Sequence, residues 1–272
     1  MTIGWQISVS IALLFATMST VDARPYNMTA RAAVYAEVPG ATLRSILPND
    51  PLQSEVAVAS FRLNRKPVTN AEFFVFVREH SDWRRGHAPT IFADANYLQH
   101  WGGELELGPT AHPDQPVTSV SWFAAQAYCE AQGTRLPTWH EWELAAAADE
   151  RVRDARSNPA WQERLLAWYS RPSNAVLNPV GKTPPNVYGI YDLHGLVWEW
   201  VEDFNALMVS NDNREQGDPD LAKYCGAGAL SVADRENYAV LMRVAMLSSL
   251  RASYTVRNLG FRCAQDAAKA TQ

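Results

Sequence analysis

Clustered positive charge is missing from this sequence of 272 residues. Its 24 Lys and Arg are outnumbered by 29 Asp and Glu, giving a net charge of −5, and no basic run interleaves with aromatics. Nucleic acid and anionic membrane surfaces are therefore poor partners. Long apolar runs are missing too. The apolar stretch at residues 7–16 is too short to span a bilayer but has the length of a signal-peptide core. Residues 1–23 are thus expected to be a leader cleaved after Ala23, with an uncleaved anchor as the alternative, and the mature protein is expected in the periplasm or outside the cell. No Gly/Ser/Pro-rich linker divides the remainder, so residues 24–272 are read as one domain. The six histidines are isolated, with no pair at i, i+2 or i, i+4, which leaves no local histidine metal motif. Cysteine is scarce: Cys129, Cys225 and Cys263 permit at most one internal bridge, three pairings are possible, and one thiol is left over.

Against these absences stand ten tryptophans, suited to filling an irregular core. Residues 56–63 alternate as a strand does, and a shorter β-like run covers residues 33–38. Helices are signalled at three places. Thr69 with Glu72 forms a capping-box spacing, residues 121–132 are apolar-periodic and stop at Gly133, and Thr138 with Glu141 repeats the box. Arg135 offers a planar fork to a carboxylate or to carbonyls. Residues from about 172 to 263 read as mainly short strands and loops. The pattern predicts an α+β protein, irregular and loop-rich.

The segment Asn186-Val187-Tyr188-Gly189-Ile190-Tyr191-Asp192-Leu193-His194-Gly195-Leu196-Val197-Trp198-Glu199-Trp200 follows neither a helical nor a strand period. It reads as a coiled loop in which Gly189 and Gly195 permit positive φ or close approach. Other motifs surround it in order: Pro67-Val68-Thr69-Asn70, Pro116-Val117 running to Tyr128-Cys129, Arg135-Leu136-Pro137-Thr138, and Asn258-Leu259-Gly260-Phe261-Arg262-Cys263. Together they resemble the formylglycine-generating enzyme (sulfatase-modifying factor) family, which implies a C-type-lectin-like mixed fold. The resemblance also implies a structural calcium site, with the carboxylates of Asp192 and Glu199 and the carbonyls of Gly195 and Val197 as ligands. Hard oxygens of this kind suit Ca²⁺. The alternative for the same residues is that Asp192 caps a turn and Glu199 pairs with an arginine. The resemblance further implies a disulfide between Cys129 and Cys263.

The family's two catalytic cysteines, which hold Cu(I), precede a segment that here reads Arg243-Val244-Ala245-Met246-Leu247-Ser248. No cysteine occurs between Gly226 and Arg243, so formylglycine generation by the two-thiol copper route is not expected, nor is copper. The chain looks like the cysteine-poor subgroup, which includes proteins tied to pyoverdine maturation and to nitrite-reductase gene clusters. Cys225, Trp198 and Arg243 are the cleft candidates for catalysis by similarity, with Tyr238 and Ser231 beside them. Each has an alternative role in packing, Cys225 as a small buried hydrophobe. His194 is a candidate acid–base group or an ordinary loop histidine. Two functions stand: an exported oxidoreductase that tailors or matures an exported protein, peptide or small molecule, or a non-catalytic module that holds a peptide, glycan or partner metalloenzyme.

Overall fold

The computed structural model describes residues 34–45, 55–170, 176–204 and 238–267. The expected leader lies outside them. β1 (Tyr35–Val38) pairs antiparallel with β4 (Phe61–Asn64), and β2 (Ala41–Arg44) with β3 (Glu55–Val58). The two ladders share one register: Val38 faces Phe61, and Ala41 faces Val58. They form one long ribbon broken at its middle. The strand expected over residues 56–63 is thus split in two, and Pro39 supplies the reason, since it has no N–H to give the ladder. At the break the strands approach closely. A Cβ on Gly40 would lie 2.8 Å from the Ser60 amide nitrogen and the Val58 carbonyl oxygen, so only glycine fits.

The three signalled helices form where expected. α1 (Asn70–Glu79) starts at Thr69 and α3 (Trp139–Ala146) at Thr138, each with both hydrogen bonds of the capping box. α2 (Trp122–Ala131) is capped by the Ser121 side chain, and Gly133 follows it at φ 65°. Two further helices were not anticipated. α4 (Pro159–Tyr169) opens with Asn158 as cap and proline in its first turn. α5 (Tyr238–Ser248) adds a helix to the region, residues 172–263, that was expected to be mainly short strands and loops. No helix among the described residues is long and apolar enough to cross a membrane.

The C-terminal segment closes the fold. β5 (Trp198–Glu199) runs parallel to β6 (Leu259–Gly260), and β7 (Ala264–Asp266) adds to β4 as the third strand of the first sheet. Cys263, just before β7, is bonded to Cys129 on α2, with Cα atoms 5.6 Å apart across 134 residues of sequence. Beside the bridge, Phe73, Trp101, Tyr128 and Phe261 pack their rings together in the core, mostly edge to face. The architecture is α+β and loop-rich, with small sheets and a core that mixes aliphatic side chains with many aromatic rings.

Candidate functional site

The loop over residues 186–200 is built from its own side chains. The Asn186 carboxamide oxygen accepts from the amides of Tyr188 and Ile190, and its nitrogen reaches the Ala145 carbonyl on α3. Gly189 and Gly195 both take positive φ, 77° and 98°, as read from the sequence. Asp192 does so too, at 59°, a conformation in which Asp is among the tolerated residues. Its Oδ1 accepts from the Thr183 hydroxyl at 2.7 Å and its Oδ2 from the Gly181 amide, while its own amide donates to Thr183 Oγ1.

Glu199 is wholly buried, and its carboxylate is held from three directions. Arg262, also 0% exposed, donates from Nη2 to Oε1 at 2.7 Å and from Nε to Oε2 at 2.8 Å. The Trp142 indole donates to Oε2 at 2.7 Å. Arg262 also donates to the carbonyls of Asn64 and Tyr191, so one side chain joins β4, the loop and β5. The paired-carboxylate and turn roles considered for Glu199 and Asp192 are therefore both present.

These bonds bear on calcium. A carboxylate oxygen has about two acceptor positions. Oε1 of Glu199 and Oδ2 of Asp192 each take one donor, which leaves one further position on each. By chemistry, the two carboxylates and the carbonyls of Gly195 and Val197 are hard-oxygen donors of the kind Ca²⁺ takes. The two carboxylates have no donor in common.

Among the catalytic candidates, Trp198 is half-buried and packs against Trp168 and Tyr169 of α4, with centroids 5.6 and 5.2 Å away. Arg243 lies on α5 and is only 1% exposed, so it does not line an open cleft. Its guanidinium covers the Trp142 ring at 3.7 Å from the centroid and donates to the Glu199 carbonyl. Burial lowers its pKa to about 10, partly offset by the Glu199 charge. This is the placement of a tether that fixes α5 on β5. Cys225 and Ser231 lie outside the described residues, as does the Tyr238 side chain.

His194 donates from Nε2 to the Ala146 carbonyl at 2.8 Å, its ring edge-on to Trp142 and Trp161. Burial, followed by the charges of Arg243, Arg164 and Arg262, lowers its pKa to about 4, against the pull of the Ala146 carbonyl. It is neutral at physiological pH. Arg135 chelates Glu141 through both terminal nitrogens at 2.7 Å and also holds Asp266, as its fork suggested. Sequence reasoning missed Trp168 and Tyr169. The signal was available: Asn158-Pro159 as a helix start, followed by Trp161, Leu165 and Trp168 at spacings of four and three.

A family model described as "Sulfatase-modifying factor enzyme 1-like domain" matches residues 16–267. The formylglycine-generating enzyme of Streptomyces coelicolor is 29% identical over 256 residues, covering 78% of this chain and 80% of that protein. The mouse protein named inactive C-alpha-formylglycine-generating enzyme 2 is 29% identical over 252 residues, covering 79% and 78%. The hercynine oxygenase of Mycolicibacterium smegmatis is 35% identical over 171 residues, 54% of this chain and 38% of its own. Among solved structures, PvdO from Pseudomonas aeruginosa superposes with a TM-score of 0.47 at 18% identity, over 86% of this chain and 94% of that one.

Proposed function

Since this chain belongs to the sulfatase-modifying factor family, we propose that it is an exported tailoring or maturation factor. It would oxidise its substrate with O₂ and without a copper-holding pair of thiols. The observation that carries the second half is the cysteine inventory. The Cys129–Cys263 bridge takes two of the chain's three cysteines and leaves Cys225 alone, so no two thiolates can grip one Cu(I). Support for oxidative chemistry is the likeness to proteins named formylglycine-generating enzyme and hercynine oxygenase.

The substrate would be an exported protein, peptide or small molecule, bound beside Trp198, with Cys225 as the reactive thiol. Arg243 acts from below by fixing the Glu199 carbonyl and the Trp142 ring. Calcium belongs to this reading as a structural ion held by Asp192, Gly195, Val197 and Glu199. EDTA is then expected to lower the melting temperature, and Asp192→Ala to abolish that sensitivity. A melt unmoved by EDTA removes the ion from the account.

A second reading has its own support. Identity to a relative named inactive equals identity to one named active, 29% in each case, and the thiol pair is absent. The protein would then be an accessory module that holds a partner without turnover. Oxygen uptake with candidate exported substrates separates the two. The first reading expects uptake by the wild type and its loss in Cys225→Ala. Absence of uptake with every substrate, together with tight binding of a partner protein, favours the second.

A further inference from the structure

A small cavity lies between α3, α4, α5 and the loop, lined by Trp142, Glu143, Ala146, Trp161, His194 and Val240 among others. It has room for about one water molecule. Two polar atoms of its lining residues are shut off from solvent and have no hydrogen-bond partner among the described residues: Glu143 Oε1 and His194 Nδ1.

Both are acceptors. His194 commits its Nε2 hydrogen to the Ala146 carbonyl, so in the neutral ring Nδ1 carries a lone pair. Glu143 is 2% exposed, and its other oxygen already accepts from the Ser45 hydroxyl at 2.6 Å and the Trp139 indole at 3.1 Å. The nearest ion-pair nitrogen to Oε1 is Arg156 Nη1 at 3.7 Å, beyond hydrogen-bond range. A buried acceptor left without a donor costs about 1–3 kcal/mol. Two of them on residues that line a space of this size call for one occupant that donates twice.

We propose that a single internal water binds there, giving one hydrogen to Glu143 Oε1 and the other to His194 Nδ1. A metal ion would meet the same two lone pairs, but the surrounding charge opposes it. Arg156 stands beside Glu143, and Arg243, Arg164 and Arg262 all act on His194. Water is neutral and has the hydrogens. The bridge positions the loop: it joins α3, whose Trp142 grips Glu199, to the residue four places before Trp198. It does not depend on the activity proposed above.

The test is a high-resolution crystal structure of the full chain, with anomalous data collected on the same crystals. The expected result is one non-anomalous peak within hydrogen-bond distance of both atoms, and its loss in His194→Phe, which keeps ring volume but removes the acceptor. An empty cavity, a direct Glu143–His194 hydrogen bond, or an anomalous metal peak overturns the proposal, as does a peak that persists unchanged in His194→Phe. Should that variant fail to fold, ¹⁵N chemical shifts of the wild-type imidazole decide independently. They are expected to show the Nε2–H tautomer with Nδ1 accepting a hydrogen bond, and an Nδ1–H tautomer contradicts it.

Discussion

At the scale of single residues, the Glu199–Arg262 pair shows how burial turns a charge into a constraint. Neither side chain touches solvent, and each is satisfied only by the other and by fixed donors or carbonyls. Removing one member leaves the other charge stranded. Glu199→Gln or Arg262→Met alone is expected to destabilise the protein by about 3–5 kcal/mol, whereas the double replacement should cost clearly less than the sum of the two singles. Denaturant unfolding of the three variants measures this. Equal, additive losses would mean that the pair does not act as a unit. A second prediction concerns acid. Burial and the charges of Arg257 and Arg85 hold His100 at about 4, below its ordinary 6.5. Its neutral form is favoured in the fold, so its contribution is fully present above pH 6.5 and is lost as the pH falls toward 4. The loss is on the order of 3 kcal/mol. In His100→Gln, stability between pH 6.5 and 4 should decline less than in the wild type. Glu143, whose pKa burial raises, works in the opposite sense but is the same in both proteins. An unchanged pH profile would contradict the assignment.

At the scale of elements, local chemistry decided what could be read in advance. Both capping boxes and the Gly133 stop were legible because a helix end is encoded within four residues. α4 carried a comparable signal in Asn158-Pro159. Asn158→Ala should cost about 1 kcal/mol and loosen Trp161 and Leu165 first, detectable as faster amide exchange in that helix than in α3. Uniform exchange in both helices would count against a local cap. What stayed hidden depends on distant segments. The broken ribbon needs Gly40 against Ser60, and Arg243 closes over Trp142 only because α5 packs across a sequence gap of 101 residues (243 − 142). Of the site, the loop glycines and Arg135's fork were visible from residue type alone, whereas the partner of Glu199, 63 residues away, was not.

At the scale of the whole molecule, the C-terminal segment returns to the N-terminal ribbon through β7 and is locked there by the Cys129–Cys263 bridge. Closing a loop of 134 residues stabilises the fold by at most about 4–5 kcal/mol in the chain-entropy model. The same bridge determines how many thiols remain for the proposed chemistry. Counting free thiols in the unfolded, unreduced protein is therefore the most direct measurement. The account predicts one thiol per chain in the wild type, none in Cys225→Ala, and two in Cys129→Ser. Three thiols in the wild type, or two after Cys225→Ala, would contradict it.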